Sequence, residues 1–201
     1  MDVLFATHNK SKLNYYKKEL ECLGVNVLSL DDLSIDYDVN EESLDTRENA
    51  LKKATEYYKI AKIPTISVDD GLIFDNVPDK LQPGPYVRRI DGVNASTDEE
   101  LLMHYSNIVK DYGVNGKLNG KWVKGIAVVK SEDDISSLSF NVEKIFVDKI
   151  SDKRHEGYPL DSMSITPYFN KYTVDLTEEE NIALKEKTNL DLINFLRKCF
   201  K

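Results

Sequence analysis

Four short stretches of this chain combine side chains that can hold phosphate, hold a divalent cation or move a proton. The first is Ala6-Thr7-His8-Asn9-Lys10-Ser11-Lys12, which lies between an apolar run and a helical pattern. A helix start presents unpaired N–H groups and the positive end of the helix dipole. With Thr7 and Asn9 as side-chain donors and Lys10 and Lys12 as charges, such a turn can bind phosphate. The same residues also describe an ordinary cap, because Asn is a common N-cap residue and the lysines would then be solvated. The second stretch is Ser67-Val68-Asp69-Asp70-Gly71. Adjacent carboxylates can hold Mg²⁺ through oxygen, and one can accept a proton from an attacking water. Asp-Gly between the alternating apolar residues Ile66, Val68, Leu72 and Phe74 also predicts a hairpin turn. Neighbouring strand residues face opposite ways, so Asp69 and Asp70 are expected to serve different partners. The third is the acidic segment holding Asp36, Asp38, Glu41 and Glu42, a source of a second metal ligand or simply a solvated loop. The fourth, Pro83-Gly84-Pro85-Tyr86, is a rigid turn presenting an aromatic ring, either to frame a base or as a packed loop.

These stretches need elements to position them. Asp2 to Thr7 reads as a strand, and Leu13, Tyr16, Leu20 and Leu23 then recur at helical spacing up to a stop at Gly24. Val25 to Leu30 reads as a second strand, so the chain opens as a βαβ unit and predicts an α/β architecture. Asp31 to Asp45 is expected to be loop. A helix follows through Ala50, Leu51, Ala54, Tyr57, Tyr58 and Ala61 to Pro64. Another runs from about Thr97 to Tyr112, where Ser96 and Glu99 match a capping box. Strands are expected at Trp122 to Lys130 and Ser137 to Val147, then a loop from Ser151 to Tyr172 and a helical tail with cap patterns Thr177/Glu180 and Thr188/Asp191. No repeat or low-complexity linker interrupts the chain, so residues 1–201 are expected to form a single two-lobed domain.

Composition narrows the class. The chain carries 27 Lys+Arg against 35 Asp+Glu, a net charge of −8, and 41% hydrophobic residues. That is enough apolar content for a sizeable core. An acidic balance without a basic tract argues against binding to nucleic acid or to a membrane surface. No apolar run approaches the ~20 residues that span a bilayer, and no signal-peptide pattern opens the chain, so a cytoplasmic location is expected. Cys22 and Cys199 have neither metal-ligand spacing nor a disulfide framework and are expected to be reduced.

Together the four stretches resemble the inosine triphosphate pyrophosphatase (Ham1-like) family. Thr7-His8-Asn9 with Lys12 stands against T-G-N-x-x-K, and Glu48-Asn49-Ala50 falls on the second helix. Asp69-Asp70-Gly71-Leu72 with Asp75 stands against D-S-G-L…D, and Pro83-Gly84-Pro85-Tyr86 with Arg89 against P-G-x-Y-x-x-R. The spacings match over most of residues 3–92. The resemblance implies an elongated mixed α/β sheet with two lobes flanking a central cleft, and a homodimer. The implied reaction is Mg²⁺-dependent hydrolysis of a nucleoside triphosphate to monophosphate and pyrophosphate, on inosine, deoxyinosine or xanthosine triphosphate or another altered nucleotide. Carried over by position, Asp69 would be the general base or a metal ligand. Glu41 or Glu42 would be the metal-binding glutamate, with Glu41 preferred. Thr7, Asn9 and Lys12 would hold the triphosphate, and His8, Asp70, Gly71, Tyr86, Gly157, Tyr158, Asn181 and Lys187 would be the further substrate-binding residues.

The resemblance weakens in the C-terminal half. Glu156-Gly157-Tyr158-Pro159-Leu160 stands where the family has F-G-Y-D-P, and Asn181 where it has a lysine. Lys185-Glu186-Lys187 replaces S-H-R, His8 replaces a glycine and Asp70 a serine. A lysine is not equivalent to an arginine at a bidentate contact, so base selection is expected to differ. Two other readings follow: a nucleotide-binding protein without turnover, or a pyrophosphatase of the related Maf-like kind acting on pyrimidine or modified nucleotides.

Overall fold

The computed structural model describes all 201 residues. Its strands are β1 (Asp2–Phe5), β2 (Asn26–Leu28), β3 (Thr65–Phe74), β4 (Arg89–Ile90), β5 (Val93–Asn94), β6 (Lys117–Ser131), β7 (Asp134–Val147), β8 (Ser164–Thr166) and β9 (Lys171–Tyr172). Its α-helices are α1 (Lys10–Glu21), α2 (Thr46–Ala61), α3 (Asp98–Tyr112), α4 (Glu178–Thr188) and α5 (Leu190–Phe200). Seven strands form a mixed sheet in the order β2-β1-β3-β6-β7-β8-β9, which fulfils the α/β expectation. The chain packs into two compact units.

The first unit comprises Met1–Asp70, Lys124–Phe140 and Asn189–Lys201. Here β1 pairs in parallel with β2, Val3 opposite Val27, and with β3, Leu4 opposite Thr65. Parallel strands need a crossover, and α1 and α2 supply it. Leu4, Ala6, Leu30, Val39 and Tyr57 close one core cluster, and Ala50 and Ala54 of α2 meet Ala127 and Val129 of β6 in another. Small residues on both sides bring helix and strand close. At Gly125 the approach is closest, since a Cβ there would run into the Thr46 backbone at the start of α2.

The second unit comprises Gly71–Val123 and Asn141–Thr188. Its core gathers Leu72, Phe74, Leu101, Leu102, Tyr105, Val109, Phe146 and Met163. The rings of Phe74 and Phe146 pack edge to face with centroids 5.0 Å apart.

Several expectations change. Asp70-Gly71 does not turn: β3 runs straight through it from Thr65 to Phe74, and Leu72 exchanges backbone hydrogen bonds with Gly84, which has φ +52°. The apolar alternation across Asp-Gly belongs to one continuous strand. The predicted loop from Ser151 to Tyr172 contains β8 and β9, antiparallel to each other. The cap of α3 shifts by one residue. Thr97 Oγ1 accepts from the Glu100 N–H at 3.1 Å and Glu100 accepts from the Ser96 N–H at 2.7 Å, while Glu99 pairs with Arg154. Thr177 and Glu180 form the expected reciprocal cap. Thr188 does not cap α5, because its hydroxyl donates to the Leu184 carbonyl at 2.9 Å within α4. Cys22 and Cys199 are both free thiols.

Candidate active site

The turn from β1 into α1 is organised by its own side chains. Thr7 Oγ1 accepts from the Asn9 N–H at 3.1 Å, and Asn9 Oδ1 accepts from the N–H groups of Ser11 and Lys12 at 2.9 and 3.1 Å. Asn9 is therefore the N-cap of α1. The two lysines diverge. Lys10 extends to Asp31 at 3.9 Å with both side chains exposed, whereas Lys12 turns inward and places its ammonium 2.9 Å from Asp70 Oδ2. His8 ties this turn to the acidic loop: its Nε2 lies 3.1 Å from the Tyr37 carbonyl, which also accepts the Tyr57 hydroxyl.

Beside this turn, β3 presents two carboxylates to different partners, as the alternation of strand side chains requires. Asp69 is buried, at 8% exposure, and accepts from Asn49 Nδ2 of α2 at 3.0 Å. Asn49 is fixed in turn by the Ser43 backbone, whose N–H donates to its Oδ1 at 3.0 Å and whose carbonyl accepts from its Nδ2 at 2.9 Å. Lys53 lies one helical turn beyond Asn49 and holds Glu41 Oε1 at 2.8 Å. Burial pushes the Asp69 carboxyl up to about 6, with the nearby Glu41 charge adding to the rise and the Lys53 and Lys12 ammoniums and the Asn49 hydrogen bond opposing it.

Asp70 behaves in the opposite way. Its Oδ2 faces Lys12 and its Oδ1 faces Lys124 of β6, at 2.9 and 3.1 Å. Burial alone would raise this carboxyl, but the two ammoniums outweigh it and hold Asp70 well below the usual carboxylate range. Burial would lower Lys124, yet Asp70 carries it well above the ordinary lysine range.

Thr7, His8, Asn9, Lys12, Glu41, Asp69 and Asp70 all lie in the first unit. Between the two candidate glutamates, Glu41 is the one whose charge reaches Asp69, while Glu42 Oε1 accepts from Asn40 Nδ2 at 2.6 Å. Gly71 opens the second unit, which also carries Tyr86, Gly157, Tyr158, Asn181 and Lys187. There Arg89 stacks over the Tyr86 ring at 4.2 Å, Gly157 has φ +78°, the Tyr158 N–H donates to the His155 carbonyl, Asn181 Nδ2 donates to the Leu176 carbonyl, and Lys187 sits over Tyr168 at 5.3 Å. Sequence reasoning missed Lys53 and Lys124 as site residues. Lys53 was discoverable, being at helical i,i+4 spacing from Asn49. Lys124 sits in a strand with no motif around it.

The arrangement has a cationic end at Lys12 and Lys124 and an anionic end at Glu41 and Asp69. Its donors at the anionic end are carboxylate oxygens, and nowhere does the chain gather three or more His, Cys, Asp or Glu side chains that could hold a metal by themselves. Two carboxylates fit Mg²⁺, which keeps most of its shell for water and substrate phosphates. No helix is long and apolar enough to cross a membrane.

The Ham1 family model matches residues 3–187. The dITP/XTP pyrophosphatase of Mannheimia succiniciproducens is 31% identical over 166 residues, covering 82% of this chain and 81% of that protein. The dITP/XTP pyrophosphatase of Clostridium tetani is 26% identical, covering 99% and 96%. Among solved structures, the Ham1 protein of Staphylococcus aureus superposes with a TM-score of 0.77 at 20% identity, covering 98% of this chain and 99% of that one, which shows a shared fold.

Proposed function

This chain belongs to the Ham1 family, and from that premise we propose that it is a nucleoside triphosphate pyrophosphatase. It hydrolyses a (deoxy)nucleoside triphosphate to the monophosphate and pyrophosphate, with deoxyinosine, inosine and xanthosine triphosphates as first candidates, in keeping with the names of its relatives. The observation that carries the reading is Asp69. Buried at 8% exposure, held by Asn49 and within reach of the Glu41 and Lys12 charges, this carboxylate is placed to take a proton from an attacking water or to ligate the metal. Asn49 orients it through Oδ2. Lys12 supplies positive charge to the phosphates, and the α1 cap sets the direction from which Lys12 reaches them. Glu41 and Asp69 would hold Mg²⁺, which supplies charge neutralisation at the phosphate oxygens when bound. Tyr86, Gly157, Tyr158, Asn181 and Lys187 are the candidates for the base and sugar. The same proposal includes a homodimer, to be checked by light scattering, and a cytoplasmic location, where nucleotide pools reside.

The test is a panel of purine, pyrimidine and modified triphosphates, with and without Mg²⁺, monitored for pyrophosphate. Turnover of at least one substrate is expected, falling about 10²–10⁴-fold in Asp69→Asn. Release of pyrophosphate from no member refutes the proposal.

A further inference from the structure

Asp70 is shared by two ammoniums that arrive from different elements. Lys12, from the first turn of α1, takes Oδ2 at 2.9 Å, and Lys124, from β6, takes Oδ1 at 3.1 Å. The three side chains are 19%, 16% and 13% exposed for Lys12, Lys124 and Asp70, so water screens them weakly. Lys124 is also seated over the Tyr15 ring of α1 at 5.6 Å, which fixes its ammonium from a second side.

The charge count decides what this triad does. Two ammoniums around one carboxylate leave an excess positive charge in a poorly screened place, and such a charge draws an anion. Were Lys124 absent, Asp70 and Lys12 would form a neutral pair, and Lys12 would have little pull left for a phosphate. Asp70 thus fixes where the Lys12 ammonium sits, and Lys124 offsets the electrostatic cost of fixing it there. At the other end, Glu41, Asp69 and Lys53 carry two negative charges and one positive. The Lys12 ammonium acts on Asp69 as well, so the positive and negative groups of the site lie within reach of one another.

We propose that Lys124 is a positioning residue of the phosphate subsite: by sharing Asp70 it leaves the Lys12 ammonium free to attract the polyphosphate of the substrate. This rests on the phosphate-end reading given above. It acts on ground state and transition state alike, so its loss raises KM more than it lowers kcat.

The experiment measures binding of inorganic tripolyphosphate by calorimetry at a fixed Mg²⁺ concentration, beside KM and kcat on the best nucleotide of the panel. Lys124→Met is expected to weaken tripolyphosphate binding about tenfold or more and to raise KM correspondingly. Lys124→Arg, which keeps the charge, is expected to stay close to wild type. The discriminating variant is Asp70→Asn/Lys124→Met. With both removed, Lys12 has no carboxylate to neutralise it, so affinity recovers relative to Lys124→Met; a lysine needed only for packing would give no such rescue. Should Lys124→Met bind tripolyphosphate like wild type, or should the double variant be no better than the single one, the proposal is overturned while nucleotide turnover still stands. A wild-type protein that neither binds tripolyphosphate nor turns over any nucleotide overturns both.

Discussion

Burial pushes the Asp69 carboxyl up to about 6 in the folded, metal-free protein, against about 4 for an aspartate in an unfolded chain. Between those values the folded state binds more protons than the unfolded one, so stability falls as pH rises from about 4 to about 6 and levels off above. Burial sets the rise and Glu41 adds to it, while Lys53, Lys12 and the Asn49 hydrogen bond oppose it. In chemical denaturation without divalent ions, Asp69→Asn should flatten that slope and be the more stable protein at pH 7, by on the order of a few kcal/mol. An unchanged slope would show that Asp69 is not the group that burial perturbs. At this scale the sequence was partly legible. Asp69, Asp70 and Glu41 stood out as carboxylates in a pattern, and Lys12 as a cation at a helix start. Lys124 did not, because its meaning comes from Asp70, 54 positions away in the chain.

Elements were read more easily where one segment decides its own fate. The cap of α1 at Asn9 and the reciprocal Thr177/Glu180 cap use side chains within a few residues, and both appear as expected. The Asp70-Gly71 hairpin failed for the converse reason. Local turn chemistry favoured a reversal, but Asp70 finds its partners in α1 and β6, and Leu72 finds Gly84, so long-range pairing keeps β3 straight. The same reasoning marks Gly125 as the point where β6 and α2 fix each other. Gly125→Ala places a methyl against the Thr46 backbone, which cannot move without shifting the start of the helix that carries Asn49 and Lys53. It should cost about 1–3 kcal/mol and weaken catalysis as well as lower Tm. A variant with wild-type melting and turnover would show that the helix start yields freely.

At the scale of the whole molecule, neither unit is a continuous stretch of chain. The first is completed by 189–201, whose α5 buries Leu192 and Leu196 and whose Asn189 Nδ2 donates to the Tyr15 hydroxyl of α1 at 2.9 Å. Each leucine contributes about 1.5–3 kcal/mol, a large share of a net stability of roughly 5–15 kcal/mol. Deleting 189–201 should therefore abolish tripolyphosphate binding and the cooperative melt together, although every proposed catalytic side chain is retained. Full binding by the truncated protein would show that α5 is dispensable. Sequence periodicity indicated a helix here but not where it docks, since the docking depends on α1 at the far end of the chain.

That docking also imposes an order on synthesis. A ribosome has made Lys12, Asp69, Asp70 and Lys124 before it reaches Asn189, so the strip of chain that seals their unit is the last of its parts to be made. Until 189–201 emerge, the nascent protein carries those charged side chains in an unfinished unit, so a ribosome stalled just after Thr188 would leave exposed the apolar faces that α5 covers and hand the chain to chaperones.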